Sequence, residues 1–150
     1  LLVGYINGNV DLVKDGFTLN INDIKTSTNI IGSKQINSAL FVPDYTYVST
    51  NFGIVLIDLV KFEIKETILL GENSIESPVF ETTLKDDTLY AATANGLFFI
   101  DIDNPFISSV NFWTKFENLP DNHSNGPFTN VVEYKGFIFA NYRNEDSGNN

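Results

Sequence analysis

The stretch Val48-Ser49-Thr50-Asn51-Phe52-Gly53-Ile54-Val55-Leu56-Ile57-Asp58-Leu59 reads as a β-rich run, a glycine turn and a second, almost wholly apolar run. It recurs as Ala91-Ala92-Thr93-Ala94-Asn95-Gly96-Leu97-Phe98-Phe99-Ile100-Asp101-Ile102, and more loosely as Leu2-Val3-Gly4-Tyr5-Ile6-Asn7-Gly8-Asn9-Val10-Asp11-Leu12. The glycines at 8, 53 and 96 are 45 and 43 residues apart, and a weaker fourth copy begins at Phe137-Ile138-Phe139-Ala140-Asn141-Tyr142. Each copy is a hairpin whose turn tolerates positive φ. A period of 40 to 50 residues built from short strands is the mark of β-propeller blades.

The segments around each hairpin supply the remaining strands. Ile36 to Val42 precedes the second hairpin and Glu63 to Leu70 follows it; Pro78 to Leu84 and Phe106 to Trp113 take the same places around the third. Runs such as Ile54-Val55-Leu56-Ile57 and Leu97-Phe98-Phe99-Ile100 suit strands covered on both faces by neighbouring blades. Phe62-Glu63-Ile64-Lys65-Glu66-Thr67-Ile68 alternates instead, as a half-solvated outer strand should. No window of ten or more residues holds a 3.6-residue period, so the chain is expected to be all-β, with four-stranded antiparallel blades. The blades fall at about 1–32, 33–73, 74–120 and, in part, 121–150, joined by the polar stretches 29–35, 71–77 and 117–127. Closing a propeller takes four to eight blades, so about three blades are expected to be a fragment of a larger ring, taken as seven-bladed.

Composition narrows the function. The chain has 150 residues, 43% of them hydrophobic, and a net charge of −10. That is enough apolar material for a core, and a field that repels phosphate backbones, so nucleic acid is not an expected partner. With no cysteine there is no disulfide framework, thiolate zinc site or thiol nucleophile. No stretch reaches the roughly 18 apolar residues of a membrane span, and residues 1–14 lack the layout of a signal peptide. The chain holds no methionine and opens directly on a strand, Leu1 to Ile6, so the natural start is expected elsewhere.

Side chains that could carry chemistry each have a plainer reading. His123 is the single histidine, in Asp121-Asn122-His123-Ser124-Asn125-Gly126, without a nucleophile elbow. Read as a calcium loop, that segment puts His123 third and Val132 twelfth, where acidic ligands are needed. Asp58 and Asp101 stand at one repeat position on different blades, which suits turn caps better than an acid–base pair. Phe112, Trp113 and Phe116 could stack on a sugar but suit core packing better. The run Asn144-Glu145-Asp146-Ser147-Gly148-Asn149-Asn150 could hold a cation, yet reads as a solvated hairpin loop. Asn122-His123-Ser124 fits the N-glycosylation pattern, a triplet common by chance. The sequence thus assigns no catalytic, metal or cofactor-binding residue and no cofactor, leaves any ligand-binding residue unknown, and gives no sign of an enzyme.

Gly8-Asn9-Val10-Asp11-Leu12-Val13, Ile21-Asn22-Asp23-Ile24-Lys25, Gly32-Ser33-Lys34-Gln35-Ile36-Asn37, Phe52-Gly53-Ile54-Val55-Leu56-Ile57-Asp58-Leu59 with Glu63-Ile64-Lys65-Glu66-Thr67, and Tyr90-Ala91-Ala92-Thr93-Ala94-Asn95-Gly96-Leu97 together resemble the N-terminal propellers of the PorZ family, over roughly residues 1–120. The resemblance implies a surface component of the Bacteroidetes type IX secretion system: exported, outer-membrane associated, with a C-terminal sorting domain beyond two propellers. It further implies protein partners in the attachment complex, the sortase PorU among them, and presentation of anionic lipopolysaccharide to that sortase. The matching motifs are turn and core positions, so no ligand residue carries over. A looser similarity, in a Thr-x-x-Gly-Leu turn between strands, is to the periplasmic sensor propellers of hybrid two-component histidine kinases.

Overall fold

The computed structural model describes residues 1–143. It is built from thirteen strands in four antiparallel sheets. The first sheet holds β1 (Leu2–Gly4), β2 (Val10–Lys14) and β3 (Phe17–Ile21). The second holds β4 (Ile36–Phe41), β5 (Tyr45–Thr50), β6 (Gly53–Asp58) and β7 (Glu63–Ile68), and the third β8 (Val79–Lys85), β9 (Thr88–Thr93), β10 (Gly96–Asp101) and β11 (Thr114–Lys115). The fourth pairs β12 (Phe128–Tyr134) with β13 (Phe137–Tyr142). Strand order within each sheet follows the chain, so every connection is a local hairpin. Among the described residues, helix is confined to one turn, α1 (Asp23–Thr26), and short 3₁₀ segments.

The core lies in layers between sheets. Val10, Leu12, Ile21 and Ile24 pack against Val48, Phe52, Val55 and Ile57. On the other face of the second sheet, Tyr47, Ile54, Leu56 and Ile68 meet Val79, Leu89, Ala91 and Ile100. A third layer joins Ala92 and Leu97 to Phe128 and Val131. All six residues of β6 are buried, as expected for a strand covered on both faces, whereas β7 alternates exposed and covered positions up to Ile68.

The two clear copies share a turn device. The Thr50 hydroxyl donates to the Gly53 carbonyl at 2.9 Å and accepts from the Phe52 and Gly53 amides; Thr93 donates to the Gly96 carbonyl at 2.8 Å and accepts from Asn95. Gly8 is not the counterpart of Gly53. It sits inside a five-residue loop, Tyr5 to Asn9, and Val10 and Leu12 face the second sheet as Ile54 and Leu56 face the third. Aligning glycines therefore slips the first copy by one position, enough to turn every side chain of a strand to the other face.

A second repeat is visible only in three dimensions. The first strand of each of the last three sheets carries an irregularity at the same point, opposite the end of its neighbour: between Ile36 and Ser38, Val79 and Glu81, and Phe128 and Asn130. Just before it, the Gln35, Pro78 and Pro127 carbonyls accept from the Asn51, Ala94 and Arg143 amides at 3.0, 3.0 and 2.9 Å. Bulges bend and twist a strand, and here they open side-chain links between sheets. Asn37 Nδ2 donates to the Val79 carbonyl at 2.7 Å, and the Glu81 carboxylate accepts from the Val131 amide at 2.9 Å.

One expected strand is absent. Phe106 to Trp113 forms turns and a 3₁₀ segment, Val110–Phe112, and the outer strand shrinks to the two residues of β11. Asn104 Oδ1 accepts the Phe106 amide at 2.9 Å and Pro105 offers no amide, so the backbone turns there. The indole of Trp113 then donates to the Ile107 carbonyl at 2.7 Å, fixing the loop against the core. Trp113→Phe removes that donor and leaves a buried carbonyl unpaired. It is expected to lower the unfolding free energy by about 1–3 kcal/mol, read by urea denaturation; an unchanged midpoint would show the indole bond to be dispensable.

Candidate functional site

Asp58 and Asp101 cap turns. Asp58 Oδ1 accepts the Val60 and Lys61 amides, both at 2.8 Å, and Asp101 Oδ1 accepts the Asp103 amide at 2.8 Å. The Lys61 amide foremost, opposed by burial and helped by the Val60 amide, holds the Asp58 carboxyl below its ordinary value. A depressed folded pKa means stability that is fully present above the unfolded value of about 3.9 and is lost as pH falls through the folded one. Asp58→Asn, which cannot titrate, is expected to give a flatter profile of stability between about pH 6 and about pH 3 than the parent. Parallel profiles in acid denaturation would mean the carboxylate is not held by those amides.

The aromatic residues are dispersed. Trp113 is buried in the layer between the second and third sheets, and Phe116 lies against Phe99 and Tyr90, at centroid distances of 4.8 and 6.3 Å. Phe112 is half exposed and stacks on Phe106 at 4.7 Å. They form no common sugar platform. His123, within the 3₁₀ segment Pro120–Asn125, stacks on Tyr142 at 3.9 Å and 18° and borders an apolar hollow of about 340 Å³ with Phe116, Leu119 and Phe128. Its ring is set by packing. The 144–150 run lies outside the described residues, and among those described no three His, Asp or Glu side chains gather to hold a metal ion.

A polar cleft that the sequence reading missed opens between the second and third sheets. Its volume is about 450 Å³, and Tyr45, Tyr47, Lys65, Glu66, Asp103 and Asn104 supply its polar lining. Strand register builds one wall: Tyr47, Leu56 and Glu66 stand directly opposite one another across β5, β6 and β7. The turn after β10, capped by Asp101, brings Asp103 from the facing sheet. Lys65 Nζ lies over the Tyr45 ring, 4.2 Å from its centre. Burial first, then the nearby charges of Asp103 and Glu66, pushes the Tyr47 hydroxyl up to about 12. Sequence patterning could not find this site, because its two walls come from positions 42–66 and 102–107, which nothing but packing brings together.

Antiparallel sheets of up to four strands stacked face to face, the second and third repeating one turn and the last three one bulge, define a β-propeller. The chain belongs to the family of the type IX secretion system PorZ N-terminal β-propeller domain, whose profile matches residues 1–114. Among solved structures it is similar to PorZ of Porphyromonas gingivalis, described as an essential bacterial surface component of the type IX secretion system. That match has 24% identity and a TM-score of 0.67, and covers 87% of this chain and 16% of that one. The extracellular domain of a putative hybrid two-component system from B. thetaiotaomicron matches at 14% identity and a TM-score of 0.59, over 95% of this chain and 19% of the other. A computationally designed protein, Ika8, matches at 10% identity and 0.56, over 95% and 42%. At these identities the structural matches show the fold; the family rests on the profile. No match was found among curated proteins.

Proposed function

We propose that the chain is a non-catalytic scaffold and binding module of a type IX secretion attachment complex at the cell surface. There it docks protein partners, the sortase PorU among them, and helps present anionic lipopolysaccharide. The observation that carries this is the family profile running through the first three sheets, residues 1–114. The dispersal of the candidate reactive groups supports it: the repeated aspartates are tied up as turn caps and the histidine as a packing element. The lipid would need help, because the chain carries −10. Four of its eight lysines already have polar partners: Lys34 with the Lys25 and Ser27 carbonyls, Lys61 with Glu63, Lys85 with Asp86, Lys115 with Asn125. A bridging cation, or basic groups elsewhere in the protein, would have to hold the acidic headgroup.

Affinity purification of the full-length protein from solubilised outer membranes, followed by mass spectrometry and lipopolysaccharide blotting, tests the reading. Recovery of a sortase complex with anionic glycolipid is expected. Recovery of neither, with a transmembrane helix and a histidine kinase on the same polypeptide, would replace it by a periplasmic ligand sensor, the alternative that the two-component structural match suggests.

A further inference from the structure

We propose that the cleft between the second and third sheets receives a basic side chain, the guanidinium of arginine or the ammonium of lysine, presented by a protein partner. The inference rests on the reading of this chain as a binding module and names the chemistry of one docking point. Tyr47 is 4% exposed and lines the cleft, yet its hydroxyl has no hydrogen-bond partner among the described residues. Glu66, half-buried, and Asp103, exposed at the cleft mouth, flank it, and among the described residues neither carboxylate has an ion-pair or hydrogen-bond partner. The Tyr47 oxygen and the two carboxylates thus share a hollow whose one ammonium, Lys65 Nζ, already sits on the Tyr45 ring. A half-buried carboxylate such as Glu66 is less well compensated by water and gains from a charged donor.

The remaining chemistry of the cleft selects a cation over a sugar. A pyranose binds by laying an apolar face on an open aromatic ring, but the Tyr45 ring is already covered by Lys65 Nζ and the Tyr47 ring is part of the core layer. Two carboxylates are too few to hold a metal ion in an all-protein site. A planar guanidinium, by contrast, can donate to both carboxylates and to the Tyr47 oxygen at once, and the chain's charge of −10 would draw a basic segment toward it.

The test is the anisotropy of a fluorescein-labelled Gly-Gly-Arg-Gly-Gly peptide titrated with the full-length protein at low salt, beside the same peptide carrying citrulline, which keeps the shape and removes the charge. Saturable binding of the arginine peptide is expected. It should be at least tenfold weaker with citrulline and in the Glu66→Gln/Asp103→Asn double variant, and several-fold weaker in Tyr47→Phe, each variant melting as the parent does. No saturable binding, equal affinity for citrulline, or affinity unmoved by the double variant would overturn the proposal. None of these results would touch recovery of the secretion complex, so the two readings fail separately.

Discussion

Gly53→Ala is expected to be among the most damaging single substitutions in the chain, lowering the unfolding free energy by about 2–6 kcal/mol. Two causes add. The residue has φ +153°, where an L side chain strains the backbone by about 1–3 kcal/mol. A Cβ there would also collide with the Ile68 carbonyl oxygen of β7, a backbone atom held in the sheet, and overpacking of that kind costs about 1–3 kcal/mol. Gly16 is the control. It too has positive φ, +81°, but a Cβ there meets nothing within 4 Å, so Gly16→Ala should cost about 1–2 kcal/mol through conformation alone. Urea unfolding of the two variants separates the terms. Equal losses would mean that the approach of β7 to the Thr50-to-Gly53 turn is not what demands glycine.

Phe52→Ala is expected to cost about 3–5 kcal/mol. Phe52 occupies a turn, where a sequence reading expects solvent, yet its ring is fully buried with Val48, Val55 and Ile57 against Val10 and Ile24 of the first unit. Truncation opens a cavity in the layer that joins the first two sheets. A domain stable by about 5–15 kcal/mol loses much of its margin this way. Phe17, 81% exposed in β3, should tolerate the same change within about 0.5 kcal/mol. Should the urea midpoint of Phe52→Ala stay near that of Phe17→Ala, the first sheet would not be bound to the second through this ring.

The period, the all-β class, the hairpins turning at Gly53 and Gly96, the alternation of β7 and the capping role of Asp58 and Asp101 were all written in residue order. Strand periodicity, turn chemistry and side-chain-to-backbone caps act over a few residues, so they are written locally. Four features were decided by tertiary contacts. The slip of the first copy comes from a loop whose length shows only once Val10 is seen to face the second sheet. The loop that replaces most of the outer strand of the third sheet is turned by Asn104 and Pro105 and held where the Trp113 ring enters the core layer between two sheets. The bulges at Asn37, Phe80 and Thr129 occupy one point of three sheets with no residue type in common, and show only in the strand pairing. The cleft of Tyr47, Glu66 and Asp103 exists because two sheets, forty residues apart in the chain, turn facing walls toward one gap. Local sequence encodes a blade; where blades meet, and hence where anything can bind between them, is set by side chains from distant positions sharing one packed layer.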